Sequence, residues 1–251
     1  MAITRTSSRL PPWLALPYAV YAIVLFTVLA VGVLVLILPI PSVSLRRKMV
    51  RGAARLFLFL AGIRLTVLHL ERLPAEACVV VANHSSYLDG IVLFAALPPV
   101  FGFVIKREMS RVPLANLLLR RIGAHYVDRG QGHKGARDTR KLLKQAASGG
   151  SLAFFPEGTF SITPGLMKFR SGAFLVAARA GFPVLPVAIR GSRLALPPGT
   201  FLPHPGHIEI EITPPIATPP STDEVDTSAV RRAARLAILG RTNEPDLAPE
   251  G

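Results

Sequence analysis

Apolar positions run almost unbroken from residue 14 to residue 38, and no charged residue stands between Arg9 and Arg46. As a helix this stretch would be about 37 Å long, against roughly 30 Å for a bilayer's hydrocarbon core, so it suits a tilted span or a deep re-entrant element. Trp13, Tyr18 and Tyr21 gather at its N-terminal end, as aromatics do at a membrane interface. A cleaved leader would carry a shorter apolar region, of about 7–15 residues. Five cations then fall within ten residues, Arg46, Arg47, Lys48, Arg51 and Arg55, followed by an apolar run at 56–63. Together these predict a basic amphipathic helix over 43–63 lying at the interface, with the positive flank and the domain after it on the cytoplasmic side. Residues 1–63 are therefore expected to form an N-terminal membrane helix pair, an apolar helix at 13–38 and the basic one after it.

From residue 64 the pattern changes to short apolar runs separated by longer stretches of helical period. Strands are predicted at 65–70, 77–81, 101–105, 125–127, 152–155, 184–189 and 208–212. Helices are predicted at 90–97, 113–122, 136–147 and 172–180, the last closed by Gly181. Continuously apolar strands alternating with helices predict an α/β fold, a mostly parallel central sheet flanked by helices, over residues 64–240. A further helix at 223–239 is expected to stop at Gly240, leaving 241–251 as a disordered tail.

Composition narrows the function. Half of the 251 residues are hydrophobic, 18% are charged, and the net charge is +14. A chain so apolar is not disordered, and one both apolar and basic points to anionic membrane lipids as partners before nucleic acid. Between Lys106 and Lys144, eleven Lys and Arg face three acids, a net of +8. No nucleic-acid-binding motif accompanies them, so no nucleic acid is expected as a partner. A single cysteine, Cys78, excludes an internal disulfide and a multi-cysteine zinc site.

Two short stretches carry candidate chemistry. The strand ending at Val81 runs into Asn83-His84, with Asp89 five residues after the histidine and a helix opening there. A carboxylate on one imidazole nitrogen fixes the tautomer and leaves the other nitrogen free to take a proton, which is what a general base acting on an alcohol requires. Backbone N–H groups at the helix start are candidates to hold an oxyanion. The second stretch, Phe154-Phe155-Pro156-Glu157-Gly158-Thr159, again follows an apolar strand and sets a lone carboxylate at the sheet edge where α/β proteins bind ligands.

These blocks, in this order, resemble the glycerophospholipid acyltransferase family, the 1-acylglycerol-3-phosphate acyltransferases in particular, over roughly residues 60–215. The resemblance implies that His84 is the catalytic base and Asp89 its partner. It further implies substrate-binding roles for Asn83, Lys106, Arg129, Glu157, Gly158 and Thr159, with Glu157 on the acceptor's glycerol hydroxyl. Where the family's third block ends in an arginine expected to bind the acceptor's phosphate, this chain has Phe160, which forms no charge-assisted bond. Lys106, Arg129 and Arg170 are the candidate replacements if the acceptor is 1-acylglycerol-3-phosphate; a lyso-lipid without a phosphomonoester is the alternative.

The expected reaction is acyl transfer from acyl-CoA or acyl carrier protein, with neither a cofactor nor a metal and without a covalent intermediate. A hydrolase using Ser85 or Ser86 is a rival, disfavoured because no Gly-x-Ser-x-Gly elbow occurs. A non-enzymatic, membrane-binding lipid carrier is a rival of a different class.

Overall fold

The computed structural model describes residues 10–128, 141–146, 149–218 and 226–248. Two long helices come first. α1 (Pro12–Ile37) opens on a proline, whose missing N–H costs nothing at a helix start, and is apolar on all sides. α2 (Val43–Leu60) begins at Ser42, whose side chain accepts the Leu45 N–H at 3.3 Å. The two fold back on one another. Tyr18 and Tyr21 near the start of α1 donate to the carbonyls of Ala61 and Leu60 at the end of α2, and the rings of Phe26 and Phe57 meet edge to face at 5.4 Å.

Gly62, at φ +64, turns the chain from α2 into the sheet. Seven strands follow: β1 (Ile63–Leu68), β2 (Val79–Ala82), β3 (Gly102–Lys106), β4 (His125–Val127), β5 (Leu152–Phe154), β6 (Val184–Arg190) and β7 (Gly206–Ile212). Their order across the sheet is β1-β7-β6-β2-β5-β3-β4, parallel at every pairing except the antiparallel β6–β7. The remaining helices are α3 (Leu88–Ala96), α4 (Pro113–Arg121), α5 (Gly172–Ala180), the short α6 (Ser192–Ala195) and α7 (Ser228–Thr242), and residues 141–146 are also helical.

Burial on both sides explains why the strands read as unbroken apolar runs. Along β2 the side chains alternate between two cores. Val80 and Ala82 join one with Phe57 and Leu58 of α2 and Val92 and Leu93 of α3, whereas Val79 and Val81 join the other with Phe174 and Val176 of α5 and Ile238 of α7. The sheet is therefore a middle layer with helices on each face, as the pattern predicted. A third, smaller cluster joins Val33, Leu34 and Ile37 of α1 to Ile122 after α4.

Four of the five cations in the basic run of α2 donate to backbone carbonyls, and Lys48 is exposed. Arg47 donates to the carbonyls of Val100 and Ile122 and Arg51 to those of Ala95 and Ala96; Arg55 also reaches Ala95, and Arg46 reaches Ile40 and Arg121. These carbonyls include the unpaired C-terminal ends of α3 and α4, where cations are favoured by the helix dipole. Phe57, Leu58 and Ala61 are also in the core, so the end of α2 packs against the α/β body.

The last helix runs through Gly240 and stops at Asn243, which takes the left-handed conformation at φ +53. Part of the expected disordered tail is ordered: over 243–248 it forms a strap, with Leu166 N–H donating to Pro245 O at 2.8 Å and Leu247 N–H to Leu166 O at 3.1 Å. Buried Arg235 holds the strap by pairing with Asp246, and Arg193 holds it through Glu244 at 2.8 Å. Of the helix predicted at 136–147, only 141–146 falls within the described residues.

Candidate active site

The site forms at the carboxyl ends of β2 and β5. Beyond Ala82 the ladder with β6 is prolonged by a side chain: the Asn83 amide donates to Ile189 O at 2.9 Å and its carbonyl accepts the Ile189 N–H at 2.7 Å. Asn83 is buried, and its side chain continues the ladder between β2 and β6.

The next residue is His84, and a tight loop brings Asp89, at the start of α3, back beneath it. His84 Nδ1 lies 2.9 Å from Asp89 Oδ2, and the same oxygen accepts the N–H groups of Ser85 at 2.6 Å and Ser86 at 2.8 Å. A fully buried carboxylate held by three donors fixes Nδ1 as the protonated nitrogen. Nε2 then carries the lone pair and has no hydrogen-bond partner among the described residues, on a side chain 18% exposed. That is the arrangement the sequence spacing suggested.

Four amides around the helix start are already engaged within the loop. Ser85 and Ser86 N–H are spent on Asp89, Leu88 N–H on Ser86 Oγ at 3.1 Å and Asp89 N–H on Ser86 O at 3.2 Å. The two serines are buried as well. Ser85 Oγ meets Ser192 Oγ at 3.1 Å, and Ser86 Oγ donates to Leu196 O at 2.8 Å, so neither hydroxyl is offered as a nucleophile.

From β5, Phe155 stacks on the His84 ring at 4.4 Å and Phe160 meets it edge-on at 4.6 Å. Tyr87 stands perpendicular to Phe160 at 4.8 Å, and Phe201 lies against Tyr87 at 6.0 Å, giving the imidazole an aromatic rim. Gly158 takes a φ of +83 that other residues reach only under strain, and Thr159 is exposed. Glu157 lies beneath, 3% exposed. Its Oε1 accepts the His84 N–H at 2.6 Å and its Oε2 the Met167 N–H at 2.8 Å. Burial pushes its carboxyl up to about 7, against the two backbone donors, with Asp89 and Glu244 adding to the rise.

The candidate cations stand on different segments. Lys106 ends β3, with β5 between that strand and β2, and its Nζ pairs with Glu108 at 3.2 Å. Arg170 is exposed, tied to the site through its own N–H, which donates to Pro156 O at 2.9 Å. Arg129 lies outside the described residues. Sequence reasoning missed the rim residues Tyr87 and Phe201 and the partner Met167, because contacts between distant loops leave no periodic trace.

A three-layer α/β fold with a His–Asp pair at the carboxyl edge of its sheet defines the class. A model of the acyltransferase family matches residues 64–190, which contain His84, Asp89 and Glu157. The chain belongs to that family. It is 32% identical over 155 residues to a probable 1-acyl-sn-glycerol-3-phosphate acyltransferase of Mycoplasma pneumoniae, covering 59% of this chain and 58% of that protein. It is 28% identical over 142 residues to a 1-acyl-sn-glycerol-3-phosphate acyltransferase of Borreliella burgdorferi, covering 56% and 57%. The chain thus spans less than two thirds of the length of these relatives. Its fold resembles the crystal structure of PlsC, the 1-acyl-sn-glycerophosphate acyltransferase of Thermotoga maritima, with a TM-score of 0.73 at 23% identity over 90% of this chain and 93% of that one.

Proposed function

We propose that this acyltransferase works in phospholipid biosynthesis, moving a fatty acyl group from acyl-CoA or acyl carrier protein to the free hydroxyl of 1-acylglycerol-3-phosphate. The observation that carries the reading is the 2.9 Å contact between His84 Nδ1 and Asp89 Oδ2, with Nε2 unpartnered among the described residues. Nε2 takes the proton of the acceptor hydroxyl as its oxygen attacks the thioester carbonyl. Collapse of the tetrahedral adduct breaks the C–S bond, and the imidazolium returns the proton to the departing thiolate. Asp89 keeps the ring oriented and stabilises its transient positive charge. The curated relatives named for this acceptor support the choice of substrate.

The same reading places the protein on a membrane. The stretch Trp13–Ile37 is long and apolar enough to cross one, and its outward residues, among them Trp13, Leu16, Val28 and Leu36, are exposed. Because α1 packs from Tyr18 to Ile37 on α2 and the turn after α4, it dips into the bilayer while staying attached to the body. Soluble thioester donors put the site on the cytoplasmic face, above anionic lipid.

Phe160 favours a second reading, an acceptor without a phosphomonoester, since its ring stands 4.6 Å from the His84 ring. One experiment tests both. Purified protein in detergent is given a single acyl-CoA and lyso-lipids that differ only in head group. Preference for 1-acylglycerol-3-phosphate supports the first reading; preference for an uncharged or phosphodiester head group replaces it with the second. Absence of transfer to every acceptor, from the acyl-CoA and from the matching acyl carrier protein alike, contradicts both.

A further inference from the structure

Six of the nine residues of α4 are apolar, yet none of the nine is buried. Leu118 and Leu119 rest against the end of α1, whereas Leu114 is 59% and Leu117 40% exposed, one helical turn apart on the same side. Val112 and Met109, just before the helix, are exposed as well. Single exposed apolar side chains are ordinary on a protein surface; a run of them along one helix marks a face that something covers. We propose that α4 is a second membrane contact, an interfacial helix lying on the anionic leaflet into which α1 dips. The inference rests on the reading of α1 as the membrane helix.

Three observations choose a lipid surface as the occupant. The first is continuity. Leu118, Leu119 and Ile122 pack in one cluster with Val33, Leu34 and Ile37 of α1, and Arg121 Nη1 donates to Leu38 O at 3.2 Å. The uncovered leucines of α4 therefore stand beside the end of α1, where Val35 and Leu36 are also exposed. The second is charge. Arg111, Arg120 and Arg121 flank the leucines with no acid between them, and Arg111 and Arg120 are exposed. Leucines bordered by arginines suit the boundary between acyl chains and anionic headgroups. The third is position. β3 runs parallel to β2 with β5 between them, so α4, which follows β3 after the turn at 107–111, starts at the same edge of the sheet as His84. A contact along α4 holds that edge against the surface from which a lipid acceptor is drawn.

Tryptophan fluorescence of the full-length chain, reconstituted in phosphatidylcholine vesicles with phosphatidylglycerol as the minor component, tests this. The wild type has a single tryptophan, Trp13 at the start of α1, which reports on α1 by itself. Leu114→Trp in a Trp13→Phe background reports on α4. Leu236→Trp in the same background is the control, a position 57% exposed on α7, which packs on the other face of the sheet from α2. If α4 lies on the bilayer, acrylamide quenches Leu114→Trp about threefold less than the control, and lipid brominated in its acyl chains removes about half of its emission and little of the control's. Quenching by acrylamide equal to the control's, with no loss to brominated lipid, overturns the proposal. Shielding from acrylamide without loss to brominated lipid also overturns it, because a protein, a second copy or a carrier, then covers α4. Trp13 separates the two readings. Quenched by brominated lipid while the α4 probe is not, it leaves α1 in the membrane and removes α4 from it; unquenched, it overturns the reading of α1 itself. Should Leu114→Trp lose the native circular dichroism spectrum, Leu117→Trp takes its place, with the same outcomes.

Discussion

Asp89 reaches His84 Nδ1 at 2.9 Å with the same oxygen that gathers the N–H groups of Ser85 and Ser86. One carboxylate therefore closes the loop and orients the base at once. Its other oxygen, Oδ1, is buried and has no hydrogen-bond partner among the described residues.

Replacing Asp89 separates these two duties. Asp89→Asn keeps an acceptor for the loop amides but removes the charge that stabilises an imidazolium, so kcat/KM should fall by about 10²–10⁴ with a small loss of stability. Asp89→Ala strands both amides and should cost a further 2–4 kcal/mol or so in folding. Steady-state kinetics with urea unfolding of both variants checks this; an Asn variant retaining full kcat/KM contradicts it.

The sign of the Glu157 shift gives a pH prediction. Its folded value, about 7, lies above the ordinary 4.5, so the fold favours the protonated form. The stabilisation is fully present below pH 4.5 and is lost as pH rises through 7, amounting to roughly 3 kcal/mol across that window. Urea midpoints of wild type and Glu157→Gln, measured from pH 4 to 8, should show a falling limb in the former that the latter lacks. Parallel curves contradict it.

The α2 arginines make a prediction of a different kind. Arg47→Gln removes donors to the carbonyls of Val100 and Ile122 and should destabilise the fold by about 2 kcal/mol. Sedimentation with vesicles containing anionic lipid should show an affinity close to wild type, because this guanidinium is spent inside the protein. A marked loss of vesicle binding with unchanged stability would return the residue to the membrane surface.

How much of this was legible in the sequence follows from the range of each interaction. The strands were, because burial on two faces writes an apolar run at Val79–Val81 that no other element explains. So was the His84–Asp89 pair, whose members lie five residues apart in one loop. The α2 arginines 47, 51 and 55 repeat at four-residue spacing and so share a helix face, but the carbonyls they meet lie 40 or more positions away and leave no local sign. The Asn83–Ile189 pairing spans 106 positions and leaves no local sign. Nor does the strap: residues 243–248 are held by Arg193, by the backbone of Leu166 and by the buried Arg235, which reads in the sequence as another exposed helix cation. Gly240 looked like a helix stop, yet the helix continues because Arg241 pairs with Glu211 at 2.8 Å and Asn243 takes the left-handed turn.

The most direct measurement is the acyl-transfer rate of His84→Gln, a side chain that can still donate to Asp89 but cannot accept a proton near neutral pH. At an unchanged melting temperature, kcat/KM should drop by about 10³ or more relative to wild type. Transfer at the wild-type rate would mean that this imidazole is not the base.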